Sequence, residues 1–211
     1  MNIIYTLALA IASYLIGSIN SSILISRAVM GKDIRTSGSG NAGATNMLRT
    51  MGKKYAVITL IIDIFKGIAA ILIARLAIQL GAVSQAEYIA GVSVVLGHNF
   101  PIFFGFKGGK GVATSLGVVL MLDWKIGLAV LIIALAVMAI SRYVSLGSIT
   151  AAVAFMLLQA IAMIISKSFD PVRCICVLIL GVLLIFRHRA NIVRLVNHTE
   201  NKLGSKKKEE N

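Results

Sequence analysis

Three polar segments of this chain carry residue types that bind anions, and the first is SGSGNAGATN at residues 37–46. Its conformationally free positions are Gly38, Gly40 and Gly43. Glycines at this spacing allow successive backbone N–H groups to point at one anion. Neutral side-chain donors lie between and after these glycines, namely Ser39, Asn41, Thr45 and Asn46.

An arginine follows the same segment. If Thr45 begins a helix, Arg49 lies one turn further along the same face. Its guanidinium would contact a phosphate there through two parallel hydrogen bonds. A flexible linker between two helices would also be rich in serine and glycine, but it would not need Asn41, Asn46 and Arg49 together. The segment therefore predicts an anion site.

The second segment is GHNFPIFFGFKGGKGVATS at residues 97–115. Lys107 and Lys110 lie in a glycine-rich turn, formed by Gly108 and Gly109, that precedes an apolar helix. The N-terminus of a helix together with a lysine is a ready anion site. The alternative is that both lysines only orient the protein in a membrane. His98 is open to two interpretations, an interfacial or helix-capping residue and a proton carrier.

The third segment is split between SRYVSLGS at 141–148 and FRHRANIVRLVNHTENK at 186–202. His188 and Asn191 are three residues apart, so on one helix they share a face. A histidine beside an amide can orient a hydroxyl or accept its proton, although a structural role is the alternative. Ser145 and Ser148 are one turn apart in the first half.

Nucleotide-binding interpretations of the glycines fail on their context. Gly38, Gly40 and Gly43 fit G-x-G-x-x-G, but a dinucleotide-binding turn needs a strand before it and a soluble helix after it. Here apolar stretches flank the glycines. A Walker A loop ending at GGKG would need glycine and serine or threonine where the chain has Phe104 and Gly111.

Composition places these segments in a membrane protein. The chain has 211 residues, of which 58% are hydrophobic, and its mean hydropathy is +0.90. Ile3–Ser26 contains no charge and is long enough to cross a bilayer. A cleavable signal peptide would need basic residues before a shorter apolar run. The net charge of +13 lies between apolar runs rather than among aromatic residues, which argues against a nucleic-acid partner.

The apolar stretches predict an all-α bundle with seven transmembrane helices. They are Ile3–Ser26, Ala56–Ala74, Tyr88–Gly97, Val112–Leu122, Ile126–Ile140, Leu146–Ser166 and Cys174–Phe186. Several are short, so five crossings remain an alternative. Most Lys and Arg residues then lie on one side if the N-terminus is outside and the C-terminus cytoplasmic, as the positive-inside rule requires. All polar segments meet on that side. We expect one domain over residues 1–205 and a charged tail at 206–211.

Two further patterns concern charges inside the bundle and metals. Asp63 and Lys66 lie within the second apolar stretch, and such charges are usually paired, so we expect a mutual pair that braces the helices.

The aspartates are not clustered as a magnesium-dependent lipid phosphotransferase would need, and no H-E-x-x-H or Cys/His cluster occurs. We therefore expect chemistry without a metal or cofactor.

Three stretches, in order, resemble the motifs of the bacterial acyl-phosphate glycerol-3-phosphate acyltransferases, the PlsY family. They are GSGNAGATNMLRTMGK, GHNFPIFFGFKGGKGVAT and HRANIVRLVNHTENKLG. The resemblance covers nearly the whole chain. It implies a small enzyme of the bacterial cell membrane that moves a fatty acyl group from acyl phosphate to the 1-hydroxyl of sn-glycerol 3-phosphate. The products are lysophosphatidic acid and phosphate, in the first step of phospholipid synthesis, and we expect a monomer.

The resemblance also implies the site residues. The reaction would fall to Ser39, Arg49, Lys110, His188 and Asn191. The substrates would be bound by Gly38, Gly40, Asn41, Gly43, Thr45, Asn46, His98, Lys107, Gly108, Gly109, Ser148 and Glu200. The family tends to have glycine before its final Thr-Glu pair, where this chain has His198, so the backbone around Glu200 is in question.

Two questions stay open at this stage. Acyl phosphate brings its own leaving group, so positioning and charge stabilisation can carry the reaction without a covalent intermediate. The departing phosphate can accept the proton of the attacking hydroxyl, with His188 orienting the acceptor, or His188 itself is the base. A transporter or channel for a phosphorylated metabolite is the alternative function, and it would place charges along a path across the bundle.

Overall fold

The computed structural model describes residues 2–204, and the regular elements in that range are helices. They are α1 (Asn2–Ser18), α2 (Ser21–Met30), α3 (Ala44–Thr50), α4 (Lys53–Gln79), α5 (Ala86–Asn99), α6 (Val112–Leu122), α7 (Trp124–Ser141), α8 (Val144–Ile165), α9 (Pro171–Arg187) and α10 (Arg189–Val196). Two 3₁₀ turns add Ile34–Thr36 and Ile102–Phe104. The predicted tail at 206–211 lies outside the described residues, as does the boundary at 205.

The structure confirms an all-helical membrane protein but gives fewer long spans than seven. By length and composition, four segments within residues 2–204 can cross a membrane, or five if α9 and α10, bent by 54°, form one span. Two of the predicted crossings form α5 and α6, which have 14 and 11 residues. At a rise of 1.5 Å per residue they reach only about 21 and 17 Å, short of a hydrocarbon layer of about 30 Å.

The first apolar stretch is broken rather than continuous. The predicted span over Ile3–Ser26 lies within Ile3–Met30, one of the four candidate spans, but inside it α1 ends at Ser18 and α2 begins at Ser21. Asn20 caps α2, because its side-chain oxygen accepts a hydrogen bond from the N–H of Ile23 at 3.1 Å. The ammonium of Lys66 donates to the carbonyls of Gly17 and Ile19 at 3.2 and 3.3 Å, so the carbonyls at the end of α1 are paired without water.

Lys66 also forms the predicted pair with Asp63. Its Nζ lies 2.9 Å from Asp63 Oδ1, and both side chains are buried. Ser21 Oγ donates to the same carboxylate oxygen at 2.9 Å, and Lys66 Nζ lies 2.7 Å from His98 Nδ1. The pair therefore joins α1, α2, α4 and α5 at one point.

Helices α1 and α5 pack parallel to each other with their backbones in contact. A Cβ atom on Gly17 would overlap the carbonyl of Val94, and one on Gly97 would overlap the carbonyl of Tyr14. Such close approach requires small residues, as at many helix contacts in membranes. The hydroxyl of Tyr14 donates to the Phe100 carbonyl at 2.7 Å, which fixes the chain where α5 ends.

The polar segments meet at one end of the bundle, as predicted, and we call this the polar end. It comprises residues 31–52, 100–111, 142–148 and 187–204, which are joined by hydrogen bonds described below. The opposite end is closed by other contacts, including Val83 N to Thr6 Oγ1 at 3.3 Å and Arg75 to the Met121 carbonyl at 2.6 Å. Helices α5 and α6 thus run between the two ends although each is short.

The most extensive of three apolar clusters in the described residues fills the middle of the bundle. Its buried members come from α4 to α9 and are Ala70, Ile71, Val94, Val95, Val118, Val119, Val130, Phe155, Val177 and Leu180. Because four of these residues also line the cavity described next, the core forms the inner wall of that cavity.

Candidate active site

A cavity of about 1140 Å³ begins at the polar end and continues between the helices. Its polar wall is formed by the segments around α3, between α5 and α6, at the start of α8 and around α10. Its apolar wall comes from α6, α7, α8 and α9, and includes Val119, Val130, Ala134, Leu135, Met138, Ala152, Phe155, Leu180 and Leu184. The cavity therefore combines a charged region with a long apolar cleft.

Nearly all of the residues singled out in the sequence line this one cavity. They are Ser39, Gly40, Asn41, Gly43, Thr45, Asn46, Arg49, His98, Lys107, Gly108, Lys110, Ser148, His188, Asn191 and Glu200. Gly38 and Gly109 are not among the lining residues. Segments that lie up to 160 residues apart in the sequence thus meet at one place.

Segment 37–46 is folded around the side chain of Asn46. The Oδ1 atom accepts from the N–H of Ser39 at 2.8 Å, and the Nδ2 atom donates to the carbonyls of Ile34 and Ser37 at 3.2 and 3.0 Å. Asn46 is buried. Gly38 has φ of +62° and its Cα faces this amide so closely that a Cβ would overlap Asn46 Oδ1. Asn46 therefore organises the segment.

This folding corrects the prediction of a row of free N–H groups. The N–H of Ser39 is bonded to Asn46, the N–H of Gly40 donates to the carbonyl of Ser37 at 3.1 Å, and that of Gly43 donates to the carbonyl of Asn41 at 3.2 Å. The sequence predicted that the glycines would let successive N–H groups point at one anion, whereas the N–H groups of Gly40 and Gly43 are bonded within the segment. The segment presents the exposed side chain of Ser39 to the cavity, and the exposed side chain of Arg49 follows it on α3.

Segment 104–111 doubles back on the end of α5. The N–H groups of Gly108 and Gly109 donate to the carbonyls of Asn99 and His98 at 3.2 and 3.1 Å. These two N–H groups are therefore not available to an anion. Gly111 then takes φ of +82° and leads into α6. Lys107, Lys110 and the first residues of α6 remain as the cationic and N–H donors along the cavity.

Lys110 belongs to a chain of hydrogen bonds that ends at a buried carboxylate. Its Nζ donates to Asn191 Oδ1 at 2.6 Å, and Asn191 Nδ2 donates to Glu200 Oε1 at 2.7 Å. Ser145 Oγ donates to the same oxygen at 2.8 Å, and Arg194 Nε donates to Glu200 Oε2 at 2.7 Å. Burial alone would raise the pKa of Glu200, but the donors outweigh it and the pKa is lowered. Glu200 is thus an ionised anchor beneath the site.

The backbone before Glu200 keeps a shape that favours glycine. His198 has φ of +56°, in the left-handed region, and it stands where the resembling family tends to have glycine. Histidine tolerates this region better than most residues, at some cost. The departure noted in the sequence therefore leaves Glu200 in place.

His188 lies at the bend between α9 and α10 rather than inside one helix. Its Nδ1 is 2.9 Å from the carbonyl of Leu184. A carbonyl only accepts, so Nδ1 carries a hydrogen and Nε2 is the acceptor whenever the ring is neutral. The N–H of Asn191 donates to the carbonyl of His188 at 2.8 Å, which keeps both side chains on the cavity. The predicted neighbours do meet, but through a bend.

The charges at the polar end are mostly positive. Asp33 bonds Arg27 and Arg35, Glu200 bonds Arg194, and Asp63 bonds Lys66, so these carboxylates are already paired. Burial, with additional repulsion from arginines around it, lowers the pKa of Lys110 to about 8, although Glu200 opposes the shift. A dianionic phosphate would relieve this repulsion.

Sequence reasoning missed two arginines. Arg35 donates to the carbonyls of Phe104 and Lys107 at 2.7 and 2.9 Å. Arg187 donates to the carbonyls of Gly108 and Gly109. Neither contact has a local pattern, because the partners lie about 70 to 80 residues away.

Known proteins match this chain over nearly its full length. The family described as "Glycerol-3-phosphate acyltransferase" matches residues 7–198. A glycerol-3-phosphate acyltransferase of Thermoanaerobacter sp. (strain X514) is 46% identical over 202 residues, which cover 96% of this chain and 98% of that relative. One of Clostridioides difficile (strain 630) is 44% identical over 209 residues, which cover 98% of this chain and 100% of that relative.

Two crystal structures of PlsY, an integral membrane glycerol 3-phosphate acyltransferase, share the fold. The glycerol 3-phosphate form has a TM-score of 0.85 at 41% identity, covering 94% of this chain and 96% of that one. The lysophosphatidic acid form has a TM-score of 0.81 at 39% identity, covering 94% and 95%. With these relatives matched along almost all of its length, the chain belongs to the glycerol-3-phosphate acyltransferase family.

Proposed function

We propose that this glycerol-3-phosphate acyltransferase takes its acyl group from an acyl phosphate and transfers it to the sn-1 hydroxyl of glycerol 3-phosphate. One observation carries the proposal: the cavity joins a cationic end, suited to two phosphates, to an apolar cleft suited to a fatty chain. The acyl chain would lie between α6, α7, α8 and α9. Its carbonyl carbon would then stop at the polar end.

The cationic end offers ligands for both phosphates. Arg49 approaches from α3, whereas Lys107 and Lys110 approach from the segment before α6. Charge-assisted hydrogen bonds of this kind are about twice as strong as neutral ones. Ser39, Asn41, Thr45 and Ser148 are neutral lining residues that would complete the binding of glycerol 3-phosphate and the acyl carbonyl.

The reaction then needs one attack and one proton transfer. The sn-1 oxygen attacks the carbonyl carbon of the acyl phosphate, the bond from that carbon to the phosphate oxygen breaks, and the hydroxyl proton passes to the departing phosphate. His188 Nε2 and Asn191 orient the attacking hydroxyl. Positioning of this kind can supply much of a rate acceleration, and no covalent intermediate is required.

The role of His188 can be tested by substitution. His188→Gln keeps a hydrogen-bonding group, so it should retain far more activity than His188→Ala if the histidine orients substrate. Steady-state kinetics of both variants and the pH–rate profile of His188→Gln are the measurements. If the glutamine variant is as inactive as the alanine variant and an acidic limb disappears, His188 is instead the general base.

The membrane topology follows from the charges and from the connectivity. We infer that the N-terminus is outside and the C-terminus cytoplasmic, with the polar end facing the cytosol. Helices α5 and α6 leave the opposite end of the bundle and return to it, so they add a pair of crossings or none. The chain therefore crosses the membrane five times without this pair or seven times with it, and either number leaves the two termini on opposite sides. Because one chain supplies the lining residues, we expect a monomer to suffice.

One assay tests the proposed reaction directly. Purified protein is given palmitoyl phosphate, and phosphate release is measured with and without glycerol 3-phosphate. Release only in the presence of glycerol 3-phosphate, with lysophosphatidic acid as product, is the expected result. Equal release without the acceptor, or acylation from other donors only, would refute the proposal.

For topology, Ser37→Cys in a background lacking Cys174 and Cys176 should not react with an impermeant thiol reagent on intact cells.

A further inference from the structure

We propose that Arg35 and Arg187 are positioning residues for acyl transfer, and that they act by holding the backbone carbonyls of residues 104–109. On this view neither arginine is itself a phosphate ligand. Together they fix the segment from which Lys110 reaches substrate. The inference rests on the function proposed above, and it assigns Lys110, one of the phosphate ligands proposed there, to the phosphate of glycerol 3-phosphate.

Arg35 approaches this segment from the side of α3. Its Nη1 donates to the carbonyls of Phe104 and Lys107 at 2.7 and 2.9 Å. Asp33 holds the same guanidinium by two bonds, from Nε at 2.9 Å and from Nη2 at 2.8 Å. Hydrogen bonding to Arg35 keeps the pKa of Asp33 well below its usual range, so this partner stays ionised.

Arg187 approaches from the end of α9. Its Nη2 donates to the carbonyls of Gly108 and Gly109 at 3.1 and 2.8 Å, and its Nε donates to Gly109 at 3.1 Å. The guanidinium also lies over the ring of Phe100, 5.1 Å from its centroid. His188 is the next residue, so the end of α9 positions both this histidine and the guanidinium that holds the glycine carbonyls.

The two arginines complete a set of bonds that leaves the glycines no freedom. The N–H groups of Gly108 and Gly109 are bonded to the end of α5, and their carbonyls are bonded to Arg187. The carbonyl of Lys107 is bonded to Arg35. Glycine is otherwise the most mobile residue. Lys110 therefore starts from a fixed backbone, and its Nζ reaches Asn191 at 2.6 Å.

The planar fork of arginine is necessary for this role. Each guanidinium bonds two carbonyls at once, and Arg35 bonds a carboxylate as well. A lysine keeps the charge but presents a single point donor, so it cannot reproduce the arrangement. A residue that acted only through its charge would tolerate lysine. A residue that positions the loop would not.

The experiment compares Arg35→Lys and Arg187→Lys with Arg75→Lys. Arg75 makes a similar set of bonds, to the Glu87 carboxylate and the Met121 carbonyl, but at the opposite end of the bundle. We expect the first two variants to raise the KM for glycerol 3-phosphate by about tenfold or more, the loss of one charge-assisted bond. Their kcat and melting temperature should change little, and Arg75→Lys should have wild-type kinetics.

Chemical rescue separates positioning from general damage. Arg187→Ala and Arg35→Ala should regain part of their affinity for glycerol 3-phosphate in millimolar guanidinium chloride, with saturation. Wild-type KM in both lysine variants, or a fall in kcat with unchanged KM, would overturn the proposal, and so would an equal effect in Arg75→Lys. If the wild-type protein releases no phosphate from acyl phosphate with glycerol 3-phosphate, the proposed function fails instead.

Discussion

Segment 37–46 is stabilised mainly by one of its own residues, with one long hydrogen bond from Asn20 to the Ala42 carbonyl, whereas segment 104–111 is stabilised mainly by residues from other parts of the chain. The first folds around Asn46, which is one of its own residues and bonds three of its backbone groups or their neighbours. The second is bonded by the end of α5, by Arg35 and by Arg187. A local fold tolerates a local change, while a segment braced on several sides transmits any displacement to its partners.

One glycine in each segment, Gly40 and Gly109, shows the same contrast in its packing, whereas Gly38 packs against Asn46 of its own segment. Gly40 has φ of +71°, and a Cβ there would be 3.5 Å from the carbonyl of Arg35, an ordinary contact. A Cβ on Gly109 would overlap the ring of His98 and lie 2.6 Å from the carbonyl of Ala42. The substitution Gly40→Ala would therefore strain only the backbone conformation. The substitution Gly109→Ala would make the new methyl group collide with atoms of two other segments.

The largest effect that we predict comes from breaking the second segment. Gly109→Ala should lower kcat/KM by about a hundredfold or more, because overpacking costs up to about 3 kcal/mol and displaces Lys110 as well. Gly40→Ala should cost about 1–2 kcal/mol of stability for its left-handed backbone, with less than tenfold loss of activity. Kinetics and melting temperatures of both variants are the measurements. Equal losses of activity would show that the two segments are equally rigid.

How well the sequence predicts a contact in this structure depends on how far apart the two residues lie along the chain. The residue types at Ser39, Arg49, Lys110 and His188 pointed to the cavity that they do line. The brace from Arg187 and the break that Lys66 stabilises at Ser18 were not predictable, because side chains there bond backbone carbonyls 47 to 79 residues away. A carbonyl is present at every residue, so no residue pattern identifies the one that is used.

Asn46 shows a second limit. Its type and position suggested a ligand, and it does lie at the cavity. Its amide nitrogen nevertheless donates to two nearby backbone carbonyls, that of Ser37 in its own segment and that of Ile34 just before it. Sequence alone does not distinguish an asparagine that binds substrate from one that shapes the loop, since both need the same donor and acceptor.

A smaller effect concerns the charges that the two segments present. Lys110 has a pKa of about 8, lowered first by burial and then by the arginines around it. The second segment should therefore lose this cation in mild alkali. We expect kcat/KM for glycerol 3-phosphate to fall above a pH of about 8, since the protonated amine is the form that binds. The substrate phosphate is already dianionic there, its second pKa being about 6.

Because the protonated amine of Lys110 is the form that binds phosphate, activity is present below a pH of about 8 and is lost above it. A bound dianion favours the charged amine, so the limb in kcat should lie at higher pH than the limb in kcat/KM. Lys110→Arg should weaken the enzyme but remove the limb. A limb that persists unchanged in this variant would assign it to another group.

The smallest predicted effect is on stability and comes from His198, which lies outside segment 104–111 but is connected to it through Glu200 and Asn191. This residue holds a left-handed backbone two positions before Glu200, and Glu200 is joined through Asn191 to Lys110. A non-glycine residue pays about 1–2 kcal/mol in that conformation, and glycine loses about 0.5–1 kcal/mol in chain entropy. His198→Gly should therefore stabilise the protein by no more than about 1 kcal/mol, or a rise of about 2–4 °C in Tm. Because the supporting bonds are unchanged, KM for glycerol 3-phosphate should stay at the wild-type value. A lower Tm would mean that the imidazole makes a contribution larger than its backbone strain, and the comparison with His198→Ala, which keeps the strain but lacks the ring, would measure it.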